Sequence, residues 1–202
     1  NYNSADLQVS NPEKTIELYG RSTKIENGES DVVFWEVEPK PVDKDLTTEV
    51  GLTATYSYQT NAFVDYCIDP NLYGERKEKT CTMEESISLQ SQGAPVGVTS
   101  VESQVFAEDN KGDIEMTIRI QNLGSGWIGS SGGMKKVDIS AEMSGNSLSC
   151  DPNVIDMEEG EGSSVCIYHY QASDEYKAPL HITLDYDYRQ GLDKKEIRIH
   201  SE

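Results

Sequence analysis

A short Gly/Ser-rich stretch gives the chain its nearest match to a catalytic motif. Residues 129–133 read Gly-Ser-Ser-Gly-Gly, which fits the G-x-S-x-G pattern of the hydrolase nucleophile elbow. That elbow works because a sharp turn from a strand into a helix exposes the serine beside oxyanion-stabilising groups. Here residues 134–143 alternate as a strand, so no helix follows the turn. The pattern indicates a flexible loop, and we predict that the chain is not an enzyme.

The three histidines are the next residues that could carry acid–base or metal chemistry. His169 and His181 lie in or beside predicted strands, and His200 lies near the end of the chain. None neighbours a cysteine or forms an H-x-x-x-H spacing, so we interpret them as surface or hydrogen-bonding residues. A catalytic triad assembled in space stays an alternative, because triads are defined by geometry rather than by sequence order.

Acidic residues are abundant, and two groups of them lie in predicted loops. Their oxygens are ligands that calcium prefers, but neither group has the spacing of an EF-hand loop. Turns favour Asp irrespective of function, so we predict turn-forming and solvating roles and no cofactor, with calcium as the alternative. The first group is Asp156, Glu158, Glu159 and Glu161, and the second is Asp109 and Asp113 around a Gly-containing turn.

Trp127 is the candidate for surface recognition. It lies in a Gly/Ser-rich stretch, residues 124–133, where a large aromatic ring could stack on a sugar or anchor a partner. The alternative is that the ring covers the end of its own domain. The first interpretation predicts an adhesin or binding module that recognises glycan or protein through this loop.

The four cysteines are Cys67, Cys81, Cys150 and Cys166. Four thiols allow three connectivities, and proximity favours Cys67 with Cys81 and Cys150 with Cys166. In the chain-entropy model, each such loop of about 15 residues adds on the order of 3 kcal/mol to stability. A structural zinc site would need close C-x2-4-C pairs, often with histidine, and that spacing is absent. The cysteines therefore predict two disulfides and an oxidising, extracellular compartment.

Charge and hydropathy exclude several classes of partner. Thirty-six acidic residues against seventeen basic ones give a formal charge of -19, which repels phosphate backbones and anionic lipids. No stretch reaches the roughly 20 apolar residues that cross a bilayer, and no charged-then-apolar leader is present. The first residue is not Met. We therefore predict no nucleic-acid partner, no transmembrane segment in this chain, and a mature or excised extracellular protein.

Apolar residues alternate with polar ones through most of the chain, which is the pattern of half-buried antiparallel strands. Residues 52–58 form one such run, and the alternation resumes over residues 62–68, so we predict a bulge or a kink near Thr60 and Asn61. No window shows a helical stripe. Residues 91–95, which are polar and contain Gly and Pro, predict a domain boundary.

The second half predicts seven short strands separated by turns. The last two of these strands form a hairpin, in which residues 180–188 pair with Ile197 and Ile199 across the turn at residues 190–193. This arrangement is typical of an immunoglobulin-like sandwich. The predicted fold is all-β, with two disulfide-stapled, antiparallel immunoglobulin-like β-sandwich domains in tandem, at residues 1–92 and 93–202.

The N-terminal segment has two interpretations. Residues 1–13 are polar apart from Leu7 and Val9, which alternate as in a short strand. The segment is either a frayed terminus of the first domain or a donor strand that adds to a neighbouring subunit, with Leu7 and Val9 filling its pockets. The first domain has few predicted strands, which favours a borrowed or donated one.

Several phrases of the sequence resemble those of known surface proteins. Residues 114–126, an alternating strand that ends in Asn122-Leu123-Gly124, resemble prokaryotic surface modules with immunoglobulin-like folds. Residues 56–70, the second cysteine pair and residues 184–188 are similar to uncharacterised secreted or membrane-anchored archaeal surface proteins. The resemblance runs from about residue 32 to residue 199. It carries no settled activity, but it implies an exported, disulfide-bearing β-sandwich protein of the cell envelope.

These observations predict a non-catalytic structural protein of the cell surface. We expect it to form a homo-oligomer or polymer, as a filament, pilus or surface-layer subunit, through β-edge and sandwich contacts. The alternative function is the adhesin or glycan-binding module described for residues 124–133.

Overall fold

The computed structural model describes residues 7–19, 26, 28–70, 79–108, 111–130, 133–172 and 174–201. All regular secondary structure within these ranges is β-strand, which confirms the predicted all-β class. The strands are β1 (Leu7–Val9), β2 (Val37–Pro39), β3 (Leu46–Val50), β4 (Thr53–Ile68), β5 (Ser86–Ser88), β6 (Val96–Glu108), β7 (Lys111–Asn122), β8 (Trp127–Ile128), β9 (Lys136–Met143), β10 (Asn146–Ser147), β11 (Ser149–Asp151), β12 (Val154–Asp156), β13 (Glu161–Gln171), β14 (Tyr176–Gly191) and β15 (Lys195–Ile199).

The strands form two large and two small sheets, and each strand pair in the described residues is antiparallel. The first large sheet has the order β10-β9-β14-β4, with β12 beside β9 and β8 beside β14. The second has the order β11-β13-β7-β6-β5. The small sheets are β1 with β2 and β15 with β3.

Alternation along the strands places one set of side chains in a shared core. In β7 every second residue from Ile114 to Ile120 is buried, and in β14 the same holds from Ala178 to Tyr188. Both large sheets contribute to one hydrophobic cluster. The period of two is thus the local signal that sets the core, because successive strand side chains point to opposite faces.

Strand β4 is continuous where the sequence predicts a bulge. It pairs with β14 in unbroken register, from Thr53 opposite Gly191 to Ile68 opposite Tyr176. The predicted bulge near Thr60 and Asn61 is therefore wrong, because Thr60 is a polar residue on the core-facing side of an uninterrupted strand. The register shift in the sheets lies instead between Val98 and Ser100 of β6.

The predicted C-terminal hairpin does not form. Strand β15 pairs with β3, with Ile199 opposite Leu46, whereas β14 pairs with β4, β9 and β8. The prediction is wrong because two alternating runs around a Gly turn also fit strands that enter different sheets. Local sequence does not select the distant partner.

The chain divides into two compact units. One comprises residues 1–52 and 193–202, and the other comprises residues 53–192. The predicted boundary at residues 92 and 93 falls inside the second unit, where β4 and β14 pair across it. The tandem arrangement of two immunoglobulin-like domains stays a prediction.

Candidate functional site

The candidate site is the free edge of β4. Among the described residues, β4 pairs with β14 alone, so it lies at the end of the first large sheet over all sixteen of its residues. A strand in this position presents a row of backbone N–H and C=O groups that can pair with another chain. An edge of this length is a template for strand addition.

An open groove of about 810 Å³ lies beside this edge. Its walls are residues 61–67 of β4 and residues 80–92, which include β5, the edge strand of the second large sheet. Ala62 and Val64 line it from the first sheet, and the half-buried Ile87 and Leu89 line it from the other side. We call this feature the edge groove. It joins backbone edges and apolar side chains in one surface.

The disulfide Cys67–Cys81 lies at one end of the edge groove, and both of its cysteines line it. Next to it, Lys79 Nζ donates to Asp69 Oδ2 over 2.7 Å, and the Asp69 side chain is almost fully buried. These two links hold the start of the segment that forms the second wall. The predicted pairing of Cys67 with Cys81 is present in the structure.

The second predicted disulfide, Cys150–Cys166, is also present and bridges neighbouring strands. The two cysteines lie directly opposite each other in the pairing of β11 with β13, and Cys166 is fully buried. This link belongs to the second large sheet and does not line the edge groove. All four thiols are consumed in disulfides.

A buried polar network joins β4 to β6 behind the edge. The Thr60 hydroxyl donates to the Val96 carbonyl over 2.7 Å, and Thr60 Oγ1 and Tyr186 Oη are 2.9 Å apart. The Val96 N–H donates to Tyr186 Oη over 3.1 Å. The Tyr186 hydroxyl has two acceptors within reach, Thr60 Oγ1 and the Val96 carbonyl oxygen, which lies 3.4 Å away. Thr60, Val96 and Tyr186 are therefore each hydrogen-bonded within this network.

Tyrosines are concentrated around this network. Tyr58 stacks on Tyr186 with ring centroids 5.8 Å apart, and Tyr56 lies 5.9 Å from Tyr188. Tyr188 Oη accepts from the Gly126 N–H over 2.8 Å and donates to Asn122 Oδ1. A Cβ at Gly126 would lie 2.3 Å from the Arg189 carbonyl oxygen, so the close approach of this loop requires glycine.

Burial raises the pKa of Tyr66 and of Tyr186 above the ordinary phenol value near 10, and it also raises the pKa of Tyr176. A raised folded-state pKa favours the neutral form, so the stability is fully present below the unfolded pKa and is lost as pH rises through the folded one. We therefore expect the free energy of unfolding to fall above about pH 10. Denaturant titrations with tyrosinate absorbance will measure this, and Tyr66→Phe should make the fall shallower. Full ionisation of these tyrosines near pH 10 in the intact fold would contradict the prediction.

The candidate donor residues of the N-terminal segment are paired within the chain. Leu7 and Val9 lie in β1, opposite Pro39 and Val37 of β2, and the Leu7 side chain is buried. Residues 1–6 lie outside the described residues. The part of the segment that follows β1 is different, because residues 10–19 are exposed and form no strand.

The unit that contains this segment has little core of its own. Among its described residues, the buried apolar side chains are Leu7 and Ile199 alone. No described residue of this unit belongs to the hydrophobic cluster of the large sheets. Several large apolar side chains are exposed instead, including Ile16, Leu18 and Phe34, which is 77% exposed. Contiguous exposed apolar patches mark interaction surfaces, and these side chains are candidates for one.

Trp127 lies on the short strand β8 rather than in a loop. It pairs with Arg189 of β14, whose guanidinium carbon lies 5.3 Å from the centre of the indole ring. The side chain is 51% exposed. One face of the ring is thus packed on Arg189, and the residue retains an accessible aromatic surface.

A second exposed aromatic lies on the outer face of β4. Phe63 is 70% exposed and stacks flat on His181, with ring centroids 4.3 Å apart. His181 Nε2 lies 2.9 Å from Asn61 Oδ1. Sequence reasoning missed this pair, because the two rings meet only through the register of β4 with β14. The alternation places Phe63 on the outer face, which is the one available signal.

The other histidines lie beside single carboxylates. His169 Nδ1 lies 2.6 Å from Asp113, and His200 Nδ1 lies 3.1 Å from Asp45. All four of these side chains are more than half exposed. Among the described residues, no serine hydroxyl is hydrogen-bonded to either of these two rings, which is the contact that a catalytic triad requires. The geometry fits the predicted surface and hydrogen-bonding roles.

The carboxylates of the calcium alternative are not gathered into a site in the described part of the chain. No group of three His, Cys, Asp or Glu side chains there has the geometry to hold a metal ion. Asp156 ends β12 and Glu161 begins β13, with Glu158 and Glu159 in the turn between them. Asp109 lies outside the described residues.

The G-x-S-x-G stretch does not resemble a nucleophile elbow in its described positions. The Gly129 N–H donates to the Asp187 carbonyl over 2.7 Å, and the Gly133 N–H donates to the Ser130 carbonyl over 3.0 Å. The segment continues into strand β9, as predicted, rather than into a helix. Ser131 and Gly132 lie outside the described residues.

Comparison of the chain with models of known protein families, with curated proteins and with solved structures finds no match in any of the three. Within the described ranges there is also no helix long and apolar enough to span a membrane. Function must therefore be inferred from the residues themselves.

Proposed function

We propose that this chain is a non-catalytic, extracellular structural protein of the cell surface that assembles with copies of itself through β-edges. The observation that carries the proposal is the sixteen-residue edge of β4 beside the edge groove. Proteins that stay monomeric protect long edges with bulges, Pro or Lys. In β4 the register with β14 is continuous, and the strand contains neither Pro nor Lys.

The exposed apolar segments of the other unit support the same proposal. A unit whose described residues include two buried apolar side chains gains little stability from its own core. Contact with a neighbouring subunit would bury Ile16, Leu18 and Phe34 and would supply the missing hydrophobic stabilisation. Assembly thus explains an exposed edge and an incomplete core together.

Composition and cysteines support the extracellular location. Two disulfides persist in oxidising compartments, and the charge of -19 favours solubility while it opposes nonspecific aggregation. The two large sheets share one hydrophobic core, which fits a β-sandwich. The proposal includes an immunoglobulin-like topology for this sandwich and tandem domains in the exported protein.

Electron microscopy and sedimentation of the full chain over a concentration series test the proposal. Ordered filaments or sheets, with a mass that grows with concentration, are the expected result. A monodisperse monomer at each concentration and ionic strength would exclude self-assembly as its function.

Trp127 favours a second candidate, the binding of a surface glycan. Its exposed indole is fixed by Arg189, and a fixed aromatic ring can stack on a sugar at low entropic cost. The protein would then be an adhesin whose contact residue lies on β8, beside the loop at residues 124–133.

If the second candidate is right, Trp127→Ala will weaken glycan binding by about tenfold or more, because the main contact surface is lost. Glycan-array screening followed by titration of the best ligand measures this. Met134→Ala is the matched control, because Met134 is exposed near the same loop. Equal binding by the parent and both variants would exclude Trp127 as the contact residue.

A further inference from the structure

Residues 13–19 have the pattern of a strand but, in the described part of the chain, no strand partner. They read Glu-Lys-Thr-Ile-Glu-Leu-Tyr, so a strand would place Lys14, Ile16 and Leu18 on one face and Glu13, Thr15, Glu17 and Tyr19 on the other. Ile16 and Leu18 are 45% and 44% exposed. The segment contains no Pro, so each residue could donate to a ladder.

The part of β4 beside the edge groove is long enough to pair with this segment. The part of β4 that lines it, residues 61–67, is seven residues long, and residues 13–19 are also seven. In extended form each spans about 20 Å, since a strand rises about 3.3 Å per residue. A strand paired beside β4 would direct alternate side chains towards Ile87 and Leu89, as in strand addition to a sheet edge.

The other exposed apolar segment fits the groove less well. Residues 31–36 contain the exposed Phe34, but they lead directly into β2, which is already paired with β1. Contacts between the two segments do not separate them, because Lys14 of the first donates to the Phe34 carbonyl of the second and lies 5.4 Å from the ring centre of Trp35. Residues 13–19 are held to their neighbours mainly at Lys14 and Tyr19.

We infer that the edge groove is the acceptor for residues 13–19 of a second copy of this chain. The added strand pairs with β4, and Ile16 and Leu18 pack against the apolar wall formed by Ile87 and Leu89. The inference rests on the proposed function, because it specifies the contact through which copies assemble. The donor lies after β1, so Leu7 and Val9 keep their pairing with β2.

Substitution of the apolar face tests the inference. The double variant Ile16→Asp/Leu18→Asp should weaken association at least tenfold in sedimentation equilibrium, because two carboxylates would be buried in the groove. Thr15→Asp/Tyr19→Asp is the matched control, since it adds the same charge to the same segment on the opposite face. It should associate nearly as tightly as the parent.

Cross-linking identifies the acceptor directly. A photoreactive residue at position 18 is placed in unlabelled chains, which are mixed with chains carrying heavy isotopes. The expected product joins an unlabelled donor peptide to a heavy peptide from residues 61–67 or 87–92. Light–light products with no heavy–light product, or products with another surface, would overturn the inference.

Different experimental outcomes would contradict the acceptor role and the proposed self-assembly. If the parent assembles, but both double variants assemble equally well, the inference is wrong and the proposed self-assembly stands. If the parent stays monomeric at each concentration, the proposed function is wrong and the acceptor role falls with it. Loss of association in the Ile16→Asp/Leu18→Asp variant alone, with the heavy–light product in the parent, supports both.

Discussion

Removal of the Cys67–Cys81 disulfide by Cys67→Ala/Cys81→Ala is expected to lower the free energy of unfolding by about 3 kcal/mol and to abolish assembly. The two cysteines are 14 residues apart, and the disulfide lowers the entropy of the unfolded chain by closing the loop between them. Its removal restores that entropy and therefore lowers stability. The loss of assembly follows because the link holds the second wall of the edge groove against β4. Denaturant unfolding and sedimentation measure the two effects.

The other disulfide provides the control for this experiment. Cys150→Ala/Cys166→Ala removes a link of similar separation, 16 residues, and should cost a similar free energy. Because it lies in the pairing of β11 with β13, assembly of the folded protein should persist. Equal loss of assembly in both variants, at temperatures where both are folded, would contradict a specific role for the edge groove.

Tyr186→Phe is expected to destabilise the fold by about 1–3 kcal/mol, although it removes one oxygen atom only. The Val96 N–H would lose its acceptor and Thr60 would lose its contact with the tyrosine hydroxyl, both in the buried core between β4 and β6. A buried polar group without a hydrogen-bond partner destabilises the fold, because no hydrogen bond compensates for its loss of contact with water. Urea unfolding measures the change.

A double-mutant cycle with Thr60→Val separates this network from general packing. If the hydroxyl groups are coupled, the double variant will be less destabilised than the sum of the two single variants. Additive effects would mean that Thr60 and Tyr186 act independently, against the contact of 2.9 Å between their oxygens.

Features set by local pattern could be predicted from the sequence. The alternation of Ile114 to Ile120 identifies a buried strand face, and the short spacings of the cysteines identify the disulfide pairs. Both signals act over a few residues, where strand geometry and loop closure leave few alternatives.

Features set by long-range strand pairing could not be predicted from the sequence. Thr60 looks like an interruption of the pattern, because its hydrogen bonds to Val96 and Tyr186 come from distant strands. Strand β15 fits a hairpin with β14 equally well, since nothing near residues 195–199 reports that their partner is β3.

The candidate site follows the same division. The apolar alternation of residues 62–68 is visible in the sequence, but the edge position of β4 depends on the order of strands in the sheet. The stacking of Phe63 on His181 likewise depends on the register of strands more than a hundred residues apart. The residue type of Trp127 is enough to identify it as a candidate in the sequence. Its contact with Arg189 could not be predicted from the sequence.

Amide hydrogen exchange of β4 in monomeric and assembled protein tests the central claim most directly. In the monomer, the N–H groups on the free edge of residues 53–68 lack strand partners among the described residues and should exchange rapidly. Assembly through this edge predicts slower exchange in that segment, with little change in the central strand β7. Assembled protein in which β4 exchanges as it does in the monomer would contradict the account.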